Sequence, residues 1–132
     1  MADTGIFMIG LGIDLIDMDH FERLYGNDDE EVLARCFTQG ELTDAGKGKD
    51  RHQRRAARLA AKEALYKALG GAKGVAHTDI ETIRTSSGAP TLRLHGAAKA
   101  LAQERGAELF FLSLTHTTSS AAAVVVAMAG PR

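Results

Sequence analysis

Residues 58–71 (RLAAKEALYKALGG) constrain the fold of this chain more than any other stretch. Alanine, leucine, lysine, glutamate and arginine make up most of the segment, and all of them are good helix formers. Gly70 and Gly71 supply a stop signal, because glycine is common just past the C-terminus of a helix. Apolar side chains fall on several sides of the helical wheel, which is typical of a mostly buried helix. The sequence therefore predicts a central helix around which the other elements pack.

The same helix carries charged side chains at regular spacing. Glu63 and Lys67 are four residues apart and share a face. Their order favours an intrahelical ion pair, which stabilises a helix by only ~0.3–0.5 kcal/mol. A basic stripe also runs along one side of the wheel, and its members are Arg51, Arg55, Arg58 and Lys62. Taken alone, the ion pair and the stripe indicate a solvated helix face.

An acidic residue interrupts the first apolar stretch of the chain. Residues 6–16 (IFMIGLGIDLI) predict a buried strand in which Gly10 and Gly12 allow another backbone to approach closely. Asp14 lies within this run, and a carboxylate is costly to bury unless it is paired or bound to a metal. A structural role for Asp14, as a helix cap or as the partner of a core arginine, is as compatible with the sequence as a functional one.

The remaining patterns alternate between helical and extended segments. Residues 18–37 are helical with a break at 26–28, and Thr38 with Glu41 forms a capping pattern for a short helix. Strands are predicted at 78–85, 91–94, 109–114 and 121–129, and a helix is predicted at 96–105. This order favours an α+β fold, with an antiparallel sheet packed against a long central helix and shorter helices. His116 lies in the connector at 115–120, where a histidine either contacts an anion or caps a loop.

Composition excludes several classes of protein. The 132 residues predict one domain, 1–132. A net charge of −1 provides no general attraction to nucleic acid or to an anionic membrane. Cys36 is the only cysteine, so no internal disulfide forms, and we expect a small core residue and a reducing, cytosolic setting. The longest apolar run, 121–129, is too short to cross a bilayer.

Three stretches together resemble one protein family. GIDLIDMDHFERL, RLAAKEALYKALGG and SLTHTTSSAAAVVV are similar to the signature stretches of holo-[acyl-carrier-protein] synthases, the short, single-unit 4′-phosphopantetheinyl transferases. The resemblance covers residues 8–127, and because the family usually begins near position 8, it implies either that residues 1–7 are an N-terminal extension or that position 8 is the true start. It implies the phosphopantetheinyl transferase fold and a Mg²⁺-dependent reaction. In that reaction the 4′-phosphopantetheine arm of coenzyme A is transferred to a serine of an apo acyl carrier protein, and adenosine 3′,5′-bisphosphate is released.

The resemblance also implies roles for individual residues. Asp14 and Glu63 match the metal ligands, and Glu63 is the candidate that takes the serine proton. The catalytic set is Glu63, Lys67 and His116. The coenzyme A contacts are Arg58, Lys62, Lys67, His116 and Thr117. The carrier-protein contacts are His20, Arg23 and Arg35.

Assembly and partner choice follow from the same resemblance. Short members of the family form homotrimers with a site at each subunit boundary, and they act in the cytoplasm in fatty acid and lipid biosynthesis. They recognise an acidic carrier helix through arginines, whereas residues 27–31 here read NDDEE. Either the carrier is less acidic than usual, or the acidic run faces solvent and the usual docking persists. Two rival functions remain: nucleic-acid binding through the basic segment 47–62, and a family member that has lost activity.

Overall fold

The computed structural model describes residues 7–71 and 73–130. This part of the chain forms five strands and five α-helices. In order they are β1 (Phe7–Asp17), α1 (Met18–Tyr25), α2 (Glu30–Cys36), α3 (Gln39–Ala45), α4 (Arg51–Ala68), β2 (Ile80–Arg84), β3 (Pro90–Leu94), α5 (Gly96–Arg105), β4 (Leu109–His116) and β5 (Ser120–Ala129). A single 3₁₀ turn, His77–Asp79, leads into β2. The predicted α+β class is confirmed.

The central layer is a three-stranded antiparallel sheet in the order β1-β5-β4, with α4 packed on one face. Alternate residues of β5 point into the core, beginning with Ala121 and Ala123, as the period of two in a strand requires. β1 crosses α4 at very short range. A Cβ on Gly12 would lie 1.8 Å from the carbonyl oxygen of Ala64, so only glycine fits there. The predicted close approach at the glycines of β1 is therefore confirmed.

The opposite face of the same sheet is apolar and exposed. Ile13 and Leu15 on β1 are 64% and 71% exposed, and Phe111 on β4 is 59% exposed. The prediction that β1 is a buried strand is therefore wrong for a single copy, in which seven of its eleven residues are exposed. We call this surface, formed by Leu11, Ile13, Leu15 and Phe111, the open sheet face. An apolar patch of this kind marks an interaction surface more often than a solvated one.

A second, two-stranded antiparallel sheet pairs β2 with β3. The short helix α3 lies between this hairpin and α4. Its start has the predicted capping box: Thr38 Oγ1 accepts from the backbone N–H of Glu41, and the Glu41 carboxylate accepts from the backbone N–H of Thr38. Glu41 is fully buried, so this cap also brings a carboxylate into the core beside α4.

The central helix begins at Arg51, so it includes Arg51 and Arg55 of the predicted stripe, and it ends at Ala68, before the predicted stop at Gly70 and Gly71. The predicted extension at residues 1–7 lies outside the described residues except for Phe7, which belongs to β1. Within residues 7–71 and 73–130, no helix combines the length and the apolar character that crossing a membrane requires.

Candidate functional site

Asp14 and Lys67 meet where β1 crosses the C-terminal half of α4. Lys67 Nζ donates to Asp14 Oδ1 at 3.2 Å and to the backbone carbonyl of Ile13 at 2.8 Å. The Asp14 carboxylate is mostly shielded, whereas the Lys67 side chain is 57% exposed. An ammonium has three N–H donors, and these two contacts use two of them. The pair thus presents positive charge to solvent beside a shielded carboxylate.

Glu63 lies at the same crossing. It precedes Ala64, the residue against which Gly12 packs, and it stands one helical turn before Lys67. Asp14 follows Gly12 by two residues and so points to the same face of β1. The structure therefore pairs Asp14 with Lys67 at the seam between β1 and α4, and Glu63 stands one helical turn before Lys67 on α4. The predicted intrahelical pair between Glu63 and Lys67 is replaced by contacts of each residue with another element.

The partner of Glu63 is His77, which the sequence analysis did not identify. His77 Nε2 lies 3.0 Å from Glu63 Oε1, and both side chains are partly exposed. The ring of Tyr66 lies 5.8 Å from the His77 ring, centroid to centroid. Burial, followed by the negative charge of Glu63, raises the pKa of Tyr66 to about 12, so the phenol stays protonated. The only signal in the sequence was a histidine two residues before the DIE motif at 79–81.

The chemistry of these donors suits Mg²⁺ bound together with a phosphate ligand. Among residues 7–71 and 73–130, no three His, Cys, Asp or Glu side chains converge as a complete metal-binding group. Asp14 and Glu63 supply two carboxylates. Mg²⁺ in proteins is typically held by one or two carboxylates, with waters and substrate phosphate oxygens completing the octahedron. The residues present therefore fit a cation that is bound only when the phosphate-bearing substrate is present.

The predicted basic stripe is not a surface, and this corrects two of the expected coenzyme A contacts. The Lys62 side chain is fully buried, and its ammonium donates to Glu41 Oε1 at 2.7 Å and to the backbone carbonyls of His77 and Ile80. Arg58 is also buried and pairs with Asp44. Both charges form ion pairs within the fold, because α3 packs Asp44 and Glu41 against this side of α4. Neither residue presents a free charge to a nucleotide phosphate.

The other half of the stripe, Arg51 and Arg55, pairs with the first acid of the run at 28–31. Asp28 adopts a left-handed backbone conformation and pairs with Arg51 and Arg55. Hydrogen bonds from Arg51 and then from Arg55 lower the pKa of Asp28 to about 2. Asp29 caps the N-terminus of α2 by accepting from the backbone N–H groups of Glu31 and Val32. Two of the four acids are therefore committed to internal contacts. Because Arg55, Arg58 and Lys62 are buried, the stripe presents little exposed charge to nucleic acid.

His116 ends β4 opposite Ala121, two residues beyond Leu114, which is level with Asp14 in the sheet because both pair with Ala123. Thr117 forms the β4–β5 turn, where its Oγ1 accepts from the backbone N–H groups of Ser119 and Ser120. Among the described residues, neither His116 nor Thr117 forms a hydrogen bond or ion pair with Glu63 within one copy.

The expected carrier-protein contacts lie on the first two helices. His20 and Arg23 are exposed on α1, and Arg35 is exposed on α2. Arg23 Nε donates to the backbone carbonyl of Asp19, which orients its guanidinium along the helix. Leu24, beside Arg23, is one of the exposed large apolar side chains. This surface combines positive charge with an apolar contact.

Comparisons with known proteins found similar sequences and structures. The model of the 4′-phosphopantetheinyl transferase superfamily matches residues 10–125. A holo-[acyl-carrier-protein] synthase of Myxococcus xanthus is 42% identical over 118 residues, covering 89% of this chain and 92% of that relative. A synthase of Solibacter usitatus is 36% identical over 121 residues, covering 90% and 97%. The crystal structure of a Bacillus anthracis synthase in complex with CoA (3′,5′-ADP) is 29% identical with a TM-score of 0.75, covering 94% and 99%.

Proposed function

This chain belongs to the 4′-phosphopantetheinyl transferase superfamily, and on that premise we propose that it acts as a holo-[acyl-carrier-protein] synthase. It transfers the 4′-phosphopantetheine arm of coenzyme A to a serine of an apo acyl carrier protein. The observation that supports the proposal is the ion pair of Asp14 with Lys67 where β1 crosses α4, with Glu63 one helical turn before Lys67. Those are the residues that the family resemblance assigns to the metal and to the pyrophosphate.

The reaction is a displacement at phosphorus. The serine oxygen forms a bond to the β-phosphorus of the coenzyme A pyrophosphate, and the bond from that phosphorus to the bridging oxygen breaks. Adenosine 3′,5′-bisphosphate leaves with the bridging oxygen. Such transfers depend mainly on positioning and on stabilisation of charge. Mg²⁺ bound by Asp14 and Glu63 would supply neutralisation of the pyrophosphate charge.

Two residues of the chain act directly on the reacting groups. Glu63, on the seam and partly exposed, takes the serine proton, either directly or through a water. Lys67 presents its exposed ammonium beside Asp14 and stabilises the charge that develops on the leaving bisphosphate. The Ile13 carbonyl holds the Lys67 ammonium in place, which reduces the entropy lost when the substrate binds. Arg58 and Lys62 take no part in phosphate binding in this proposal.

The open sheet face supports a homotrimer with sites at the subunit boundaries. Burying each of its large side chains contributes roughly 1–2 kcal/mol, which is enough in total to hold copies of the chain together. Within one copy, His116 and Thr117 form no hydrogen bond with Glu63, and in this proposal a neighbouring copy brings them to the site. The site is then complete only in the oligomer. Free, buried Cys36 supports a reducing compartment such as the cytoplasm as the place of action.

The carrier protein docks on α1 and α2 through His20, Arg23 and Arg35. Pairing of Asp28 with Arg51 and Arg55 favours an ordinary acidic carrier over a less acidic one, because it compensates the charge of one of the four acids of the run. Modification rates of an acidic and a less acidic apo carrier, compared over a salt series, decide this point. Preference for the acidic carrier that weakens with salt supports the docking. Equal rates with no salt dependence contradict it.

Mass spectrometry of the carrier protein tests the proposed activity. The protein, coenzyme A, Mg²⁺ and apo carrier are mixed, and the intact carrier is examined for the added arm. Glu63→Gln and Asp14→Asn should each lower the rate by at least ~10²-fold with the fold intact. Glu104→Gln, on the exposed side of α5, is the matched control and should leave the rate unchanged. No transfer by the wild-type protein, or near-native rates in either site variant, contradicts the proposal.

A further inference from the structure

The contact between His77 and Glu63 assigns a role to a residue outside the expected site. We infer that His77 is a positioning residue for Glu63: its Nε2–H holds Glu63 Oε1 and leaves the second carboxylate oxygen for the cation and the substrate. The inference rests on the proposed function and adds a residue to that site. A carboxylate offers about four acceptor positions on two oxygens, so one hydrogen bond fixes its rotation without consuming its capacity.

The backbone of His77 is held by an internal ion pair. Lys62 Nζ donates to the His77 carbonyl at 3.0 Å, and the same ammonium is paired with buried Glu41. The 3₁₀ turn is closed by a hydrogen bond of 3.1 Å from the backbone N–H of Ala76 to Asp79 Oδ2. The turn that carries His77 is therefore anchored to α4, the helix that carries Glu63. This explains why a charged side chain sits in the core one residue before Glu63.

The imidazole ring is held from a second side by Tyr66. The two rings lie 5.8 Å apart, and Tyr66 stands on α4 one turn from Glu63. A ring fixed by its backbone, by an aromatic neighbour and by a carboxylate loses little further freedom when the substrate binds. Hydrogen-bond partners of metal-ligating carboxylates typically contribute 10–100-fold in metal affinity or activity.

The chain contains a matched contact away from the site. His95 Nε2 lies 3.0 Å from Glu81 Oε1, the same atoms at the same distance as in the pair of His77 and Glu63. Glu81 also accepts from Thr38 Oγ1, and neither residue lies at the crossing of β1 and α4. If such contacts only tie a loop to the fold, removing either one has the same effect. If His77 positions Glu63, only the removal of His77 affects the reaction.

Three variants separate these possibilities. His77→Phe keeps a ring against Tyr66 and removes the donor, His77→Gln restores a donor at about the position of Nε2, and His95→Phe is the control. We expect His77→Phe to lower kcat and the affinity for Mn²⁺ measured with coenzyme A by ~10–100-fold, with KM for the carrier protein unchanged. His77→Gln should recover most of that loss, and His95→Phe should show none. Wild-type values in His77→Phe, failure of His77→Gln to recover, or an equal loss in His95→Phe would overturn the inference.

A measurement on the wild-type protein covers the case in which a variant fails to fold. Imidazole resonances of His77 and His95 are recorded by ¹⁵N NMR before and after Mn²⁺ and coenzyme A are added. At substoichiometric Mn²⁺, the His77 resonances should broaden more than those of His95, because His77 contacts Glu63 directly, whereas broadening of His77 no greater than that of His95 contradicts the inference. Absence of transfer activity in the wild-type protein would refute the proposed function. The Mn²⁺ affinities and the NMR spectra would still decide the role of His77.

Discussion

Replacement of Lys62 by methionine should destabilise the protein strongly without acting through coenzyme A. Lys62 and Glu41 are both 0% exposed, and their charged atoms lie 2.7 Å apart. In Lys62→Met, Glu41 keeps only its hydrogen bonds from the backbone N–H groups of Thr38 and Thr82. Removing one partner of a buried ion pair costs ~3–5 kcal/mol, because the other charge stays buried and unpaired. We expect the free energy of unfolding to fall by about that amount.

Urea-induced unfolding followed by circular dichroism measures this change. All variants are compared at one protomer concentration, because association contributes to apparent stability. Lys67→Met is the matched control; its ammonium is mostly exposed, so the free energy of unfolding should change by less than ~1 kcal/mol. Glu41→Gln combined with Lys62→Met should be more stable than Lys62→Met alone, because the double variant buries no unpaired charge.

A different result would refute the reasoning. If Lys62→Met kept the free energy of unfolding within ~1 kcal/mol of the wild-type value and raised the KM for coenzyme A, Lys62 would be a nucleotide contact. The correction made from the structure would then be wrong, and the original interpretation of the basic stripe would stand.

Three further changes test other parts of the account. Gly12→Ala places a Cβ 1.8 Å from the Ala64 carbonyl oxygen, so the free energy of unfolding should fall by ~1–3 kcal/mol or more, and an unchanged urea midpoint contradicts this packing. Leu15→Glu introduces charge on the open sheet face; in sedimentation experiments it should give monomers with little transferase activity, and a fully active monomer contradicts the proposed assembly. The pKa of Asp28 is lowered from 3.8 to about 2, chiefly by Arg51, so its contribution to stability is present above pH 4 and is lost as the pH falls toward 2. Asp28→Asn should make the stability–pH curve flatter between pH 4 and 2, and an unchanged slope contradicts the pairing.

Local patterns in the sequence predicted most of the secondary structure. The capping box of Thr38 and Glu41, the stop at Gly70 and the helix Gly96–Arg105 each depend on residues close in sequence, and the structure confirms them. The close approach of β1 to α4 was also predictable, because few features other than a tight backbone contact explain two glycines inside an apolar strand. The roles of Asp14 and Glu63 as metal ligands were predicted from the family resemblance, since nothing in the spacing of the two residues joins them.

The errors concern contacts between distant segments. A helical wheel identified the stripe that contains Arg58 and Lys62, but it contains no information about what packs on it. Acids from α3 cover that side, so the stripe is internal. The apolar run of β1 predicted burial on both faces, whereas only one face packs against α4 within a single copy. His77 lies in the 3₁₀ turn that follows α4, and no periodic pattern in the sequence predicts its contact with Glu63.

The central claim is that Asp14 and Glu63 bind one divalent cation together with the pyrophosphate of coenzyme A. An electron paramagnetic resonance titration of Mn²⁺, with and without coenzyme A, tests it most directly. We predict that the wild-type protein binds Mn²⁺ tightly only with coenzyme A present, and that Asp14→Asn and Glu63→Gln each weaken binding by at least ~10-fold. Tight binding without coenzyme A, or binding that neither substitution alters, would contradict the account.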